Sequence, residues 1–208
     1  MPSSVQGRAR PLPKPISTPK KTDTTAAHNH THAEGGAKFG HLPYTEVPLA
    51  ERKLMKPIGK NFLLKAPAAE AYLRMVDAAK AEGITLVPAF GFRDLKTQKA
   101  LFNYNTKIPE AQRAKQRAPP GHSEHHTGYA LDINSKGEKM TENSKAYQWL
   151  KKHAAAYGFE NSFPKNNKQG VMFEPWHWRY IGNEESLKIF ERARQLTGQS
   201  DPGWKPNQ

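Results

Sequence analysis

Ser123-Glu124-His125-His126-Thr127-Gly128-Tyr129-Ala130-Leu131-Asp132-Ile133-Asn134 runs from a polar, histidine-rich turn into an alternating strand. Over Gly128–Asn134, Tyr129, Leu131 and Ile133 fall on one face and Gly128, Ala130 and Asp132 on the other, the period of two that a strand imposes. An acid within a strand is unfavourable unless it meets water or a partner. Asp132 shares its face with small residues only, which leaves room for an ion and its other ligands. Glu174-Pro175-Trp176-His177-Trp178-Arg179-Tyr180 has the same character, with Trp176, Trp178 and Tyr180 alternating with His177 and Arg179. Pro175 cannot donate a ladder hydrogen bond, so this strand is expected to begin after it. Glu174 then lies on the entering loop, free to swing toward the cavity that His177 faces.

The two stretches together hold the inventory of a hydrolytic zinc site. Two imidazoles and one carboxylate make a three-ligand site with a fourth position open. A further carboxylate three residues before the last histidine can serve as general base toward water. His125 lies seven residues before Asp132, but His122 and His126 are equally near in the chain, and spacing alone does not choose among the three. The chain has no cysteine, so a metal must take nitrogen and oxygen ligands. A third element precedes these two. Gly91-Phe92-Arg93 follows the short apolar run Ile84–Phe90, and Gln98 falls on what reads as the next helix. The planar fork of Arg93 suits a peptide carbonyl or carboxylate.

Three helices are expected outside the motif. One starts at Pro67, carries the stripe Ala69, Tyr72, Leu73, Val76 and Ala79, and ends at Gly83. A second repeats Tyr147, Leu150, Ala154 and Tyr157 before Gly158. A third is capped by Asn183, has Glu184 and Glu185 in its first turn and Leu187 and Phe190 inside, and stops at Gly198. Strands and helices in this mixed order predict an α+β domain over residues 41–198, with a central, mainly antiparallel sheet carrying the zinc site and helices flanking it. Residues 1–40 are rich in Pro, Ser, Thr, Ala and Lys and read as a disordered basic tail, as does the stretch 199–208. The tail's His28, His30 and His32 suggest no more than loose metal binding.

The 208-residue chain is long enough for one ordinary core. Lys and Arg outnumber Asp and Glu by 32 to 19, for a net charge of +13. Six basic and two acidic residues up to Lys38 contribute +4, so +9 belongs to the remainder. Such a surface favours polyanionic surroundings. No basic helix with interleaved aromatics is present, so nucleic acid is not an expected partner. No apolar run reaches the length of a membrane span, and no signal peptide is visible in the sequence.

Ser123-x-His125-x-x-Gly128-x-Ala130-x-Asp132 followed by Glu174-x-x-His177 resembles the signature of the VanY-like D-alanyl-D-alanine carboxypeptidases, zinc enzymes related to lysostaphin-type endopeptidases and the hedgehog fold. Pro120-Gly121, Glu124, Trp176 and Trp178-Arg179-Tyr180 fit the same family, and the resemblance covers roughly residues 58–190. It implies that Zn2+ is held by His125, Asp132 and His177, with Glu174 as the base. It also implies Arg93 in substrate or oxyanion binding, with Ser123 and Gln98 as further substrate contacts. The family commonly carries Arg-Ser with a Gln five residues after the Arg; here Asp94 stands where Ser is usual. The implied activity is removal of a C-terminal D-alanine from peptidoglycan stem peptides. The alternatives are L,D-carboxypeptidase or D-Ala-D-Ala dipeptidase action on the same scaffold, or an inactive wall-binding module. A monomer working in the cell envelope, the periplasm or outside the cell is the matching expectation.

Overall fold

The computed structural model describes residues 36–199. Residues 1–35 and 200–208, with His28, His30 and His32, lie outside the described residues. In chain order the elements are α1 (Leu49–Arg52), β1 (Lys56–Pro57), β2 (Leu63–Leu64), α2 (Ala66–Ala81), β3 (Val87–Phe90), α3 (Leu95–Phe102), α4 (Glu110–Ala114), β4 (Ala130–Asn134), α5 (Lys145–His153), β5 (Phe159–Asn161), β6 (His177–Tyr180) and α6 (Glu184–Thr197). Single 3-10 turns cover Glu124–Thr127 and Ala154–Tyr157.

The centre is a four-stranded antiparallel sheet in the order β3-β4-β6-β5, with β1 and β2 forming a separate small hairpin. Because side chains alternate along each strand, register decides what each face of the sheet presents. Leu131 pairs with Trp178, and both join Ile133 in the core cluster with Ala69, Tyr72 and Met75 of α2 and Ala146 and Leu150 of α5. Each such large apolar side chain, wholly removed from water, contributes about 1.5–3 kcal/mol. The opposite row is polar. Asp132 pairs with His177, Ala130 with Arg179, and Arg179 with Glu160. Core formation on one face therefore commits these polar groups to the other.

The helix boundaries follow the expected caps. The Asn183 side chain accepts from the Ser186 amide and completes a capping box at the start of α6, and Gly198 ends it in the left-handed region at φ 71°. Asp94 caps α3 by accepting from Thr97 N–H at 2.7 Å. A serine in that position can make the same bond, so the departure from the family's usual residue preserves the helix start.

Several local expectations need correction. The strand read as Gly128–Asn134 begins at Ala130. Gly128 instead closes the 3-10 turn at φ 69°, where an added Cβ would lie 3.1–3.2 Å from Met55, Lys65 and Val47. Leu73 is 46% exposed; the buried face of α2 runs through Ala68, Ala69, Ala71, Tyr72, Met75 and Ala79, so Met75 takes the place assigned to Leu73. The run Ile84–Phe90 becomes a strand only from Val87. The periodicity from Tyr147 changes from α to 3-10 geometry at Ala154. Residues 36–40, grouped with the tail, include a turn in which Lys38 and His41 exchange backbone hydrogen bonds, and from His41 the chain enters the core through Leu42, Tyr44 and Val47.

Candidate metal centre and active site

Cross-strand pairing brings the first two groups together. Directly opposed residues on neighbouring strands hold their side chains about 5 Å apart, and Asp132 opposes His177. Asp132 Oδ1 lies 2.8 Å from His177 Nδ1 and 3.5 Å from Nε2 of His125. The three ligand atoms lie within 4.8 Å of one another, the sole such metal-compatible group among the described residues.

The turn separates the three histidines that spacing left equivalent. His125 Nδ1 donates to the Gly91 carbonyl at 2.8 Å, which leaves Nε2 toward Asp132. Gly91 is tightly constrained: an added Cβ would lie 2.6 Å from the Leu63 carbonyl oxygen. His126 Nδ1 donates to the Arg93 carbonyl at 2.7 Å while Nε2 accepts from Gly121 N–H at 3.1 Å. Burial lowers the His126 pKa to about 4, so it is a neutral clamp between two backbone segments. His122 bonds through Nδ1 to the Pro120 carbonyl and is half-buried.

The electrostatics of the cluster favour added positive charge. Burial opposes ionisation of Asp132, but His125 and His177 outweigh it and hold the carboxyl well below the usual carboxylate range. Burial likewise disfavours a charged His177 ring, yet hydrogen bonds to Asp132 and Glu124 raise its pKa to about 10. A ring drawn so strongly to an extra proton marks a site short of cationic charge. Two imidazoles and a carboxylate without thiolates match the donor set of a divalent zinc site.

Glu174 stands on the loop before β6, which starts at His177 as the position of Pro175 implies. Its backbone is pinned: the amide donates to Phe163 at 3.2 Å, and the carbonyl accepts from Asn161 Nδ2 at 2.8 Å and from the His177 amide at 3.2 Å. The residue is 8% exposed and lines a cleft of about 160 Å³ together with His125, Asp132 and His177. Burial, with a smaller contribution from the Asp132 and Glu124 charges and against the pull of His177, raises its pKa to about 7.

Arg93, Gln98 and Ser123 also line the cleft. The Arg93 guanidinium lies 4.8 Å from the Phe90 ring centroid and donates through Nη1 to Gln98 Oε1 at 2.8 Å. Gln98 is buried and donates in turn to the Ala118 carbonyl at 2.6 Å, so its amide orients Arg93. The cleft further includes His41 and Arg117, which sequence reasoning missed. His41 sat at the edge of the low-complexity tail and carried no signal. Glu124 is visible in the sequence only as part of the motif, and nothing there points it toward His177. Arg179, by contrast, lies two residues after His177 in an alternating strand, so strand parity placed it on the site's face.

An antiparallel sheet thus carries a His-Asp-His group that could hold a metal ion and, in the same cleft, a carboxylate of raised pKa. The chain belongs to the VanY family: the D-alanyl-D-alanine carboxypeptidase family model matches residues 61–183. A D-alanyl-D-alanine carboxypeptidase of Enterococcus faecalis is 35% identical over 131 residues, covering 57% of this chain and 48% of that protein. The chain spans about half the length of the curated relatives it matches first. Among solved structures, a mutant of the vancomycin resistance D,D-pentapeptidase VanY in complex with Zn(II) aligns with a TM-score of 0.57 at 26% identity, covering 74% of this chain and 94% of that one. The LD-carboxypeptidase LdcB aligns with a TM-score of 0.57 at 30% identity, covering 76% and 77%. No helix among the described residues is long and apolar enough to cross a membrane.

Proposed function

We propose that this protein is a zinc-dependent carboxypeptidase that removes the C-terminal D-alanine from peptidoglycan stem peptides, with D,D-cleavage as its main activity. The observation that carries the reading is the Glu174 carboxylate in the same small cleft as His125, Asp132 and His177, with Arg93 lining it as well. His125, Asp132 and His177 would hold the metal, which when bound polarises a carbonyl and lowers the pKa of water from about 15.7 toward about 7. Glu174 takes a proton from the attacking water and passes it to the leaving amine. A carboxylate whose pKa lies near 7 can do both at neutral pH. Arg93, held by Gln98, pairs with the terminal carboxylate of the peptide, and Ser123 supplies a further hydrogen bond. A neutral amide in place of that carboxylate would leave the half-buried cation without its charged partner, so the enzyme is exo-acting. The substrate puts the work in the cell envelope or outside the cell, where a net charge of +13 suits an anionic wall.

The test is to incubate the zinc-loaded protein with muropeptide pentapeptides, tetrapeptides and C-terminally amidated pentapeptides and to weigh the products. Loss of one alanine from the pentapeptide alone is expected. Loss from the tetrapeptide would move the assignment to L,D-cleavage. Equal cleavage of the amidated peptide would reject the exo-acting mode, and binding of sacculi without any release would favour a wall-binding module.

A further inference from the structure

Behind His177 lies a chain of buried charged groups that the proposed hydrolysis does not itself use. Nε2 of His177 faces Glu124 Oε2 at 3.1 Å, on the side of the ring away from Asp132. The other Glu124 oxygen accepts from Arg179 Nη1 at 2.9 Å and from the Tyr44 hydroxyl at 3.3 Å. Arg179 is wholly buried and is held at its remaining corners by Glu160 at 2.8 Å and the Thr197 hydroxyl at 3.1 Å. Arg194 braces Glu160 from α6. The array thus joins three separate parts of the chain, the strap at Tyr44, the 3-10 turn at Glu124 and the end of α6, beneath a single ring.

Holding the turn against the sheet needs only the Arg179–Glu124 pair. The second Glu124 oxygen, spent on the far nitrogen of His177, is what a structural ion pair leaves unexplained. A carboxylate accepts only, so without a metal both ring nitrogens carry hydrogen; Glu124 keeps the one on Nε2, and the Nδ1 hydrogen, on the side of Asp132 and His125, is the one a metal would displace. We infer that Glu124, anchored by Arg179, is a positioning residue for the metal: it fixes the His177 tautomer and ring angle so that Nδ1 is the ligating atom. This deepens the zinc reading above and rests on it. Hydrogen-bonded carboxylates behind ligating histidines raise ligand basicity, and their loss typically weakens metal binding about 10–100-fold.

The experiment uses the full-length protein in two forms. In the zinc-loaded wild type, long-range ¹H–¹⁵N correlation spectra report which imidazole nitrogens are protonated and which carry the metal. His177 is expected as the Nε2–H tautomer metallated at Nδ1, and His125 as the reverse. In Glu124→Gln, zinc affinity measured by chelator competition is expected to fall about 10–100-fold, and the visible spectrum of the cobalt-substituted protein is expected to shift. The variant is expected to fold because Arg179 keeps Glu160 and Thr197 as partners. Should it not fold, the wild-type spectra alone decide. Metallation of His177 at Nε2, or wild-type zinc affinity and an unchanged cobalt spectrum in folded Glu124→Gln, overturns the inference while leaving the zinc reading intact. A wild type that binds no zinc overturns both.

Discussion

Replacing Glu174 by Gln should move activity and stability in opposite directions. The carboxylate is 8% exposed, and burial raises its pKa from an ordinary 4.5 to about 7. That span corresponds to on the order of 3 kcal/mol by which folding disfavours the ionised form. The folded-state pKa is the higher one, so the cost is absent below pH 4.5, grows as pH rises toward 7 and is complete above it. Gln is neutral and nearly isosteric, and it removes this cost. For a domain of this size a gain of that order raises Tm by about 6–12 °C. Thermal unfolding of metal-free wild type and Glu174→Gln should therefore diverge at pH 8 and converge at pH 4. Activity follows the other course: loss of a general base lowers kcat/KM about 10²–10⁴-fold, equal to about 2.7–5.4 kcal/mol of transition-state stabilisation. Zinc content should be unchanged, because Glu174 is outside the His-Asp-His group. A variant less stable than wild type at pH 8, or one that releases D-alanine at the wild-type rate, would refute the reasoning. The first result would mean that the carboxylate holds the fold together, and the second that another group is the base.

His177→Ala should abolish stoichiometric zinc, seen by metal analysis of the dialysed protein; full retention would remove His177 from the ligand set. Arg93→Lys keeps the charge but loses the fork held by Gln98, so KM for pentapeptide should rise at least about tenfold, while the already poor cleavage of the amidated peptide changes little. Arg179→Met should cost about 3–5 kcal/mol in a denaturant titration, because it strips Glu124 of its buried arginine and leaves Glu160 with Arg194 alone. Gly128→Ala should destabilise by about 1–3 kcal/mol, since φ 69° is strained for any side chain and Met55, Lys65 and Val47 already crowd the space.

The strands at Leu131 and Trp178 were legible because alternation is a local property: buried aliphatic or aromatic residues at every second position commit Asp132, His177 and Arg179 to the other face without reference to the rest of the fold. The cap at Asn183 and the stop at Gly198 are equally local. The β5 strand at Phe159–Asn161 was not legible, because three residues carry no period and their partner lies across a loop. Leu73 was misplaced because α2 packs mainly through alanines and Met75, so the largest aliphatic side chain was a poor guide to its buried face. At the site, composition and spacing named an adequate set of donors but could not choose among His122, His125 and His126, which differ only in what the folded chain sets against their rings. The family resemblance points to His125, and the tertiary structure supplies the physical reason: the Gly91 carbonyl aims His125 at Asp132, while Arg93 and Gly121 lock His126 away. The sequence alone thus determined which residue types could hold a metal and which face of the sheet would carry them. Which imidazole stands against Asp132 and His177, and the buried charge chain behind His177, are set by contacts between residues distant in sequence, because the direction of a ring nitrogen depends on its hydrogen-bond partner and not on its position along the chain.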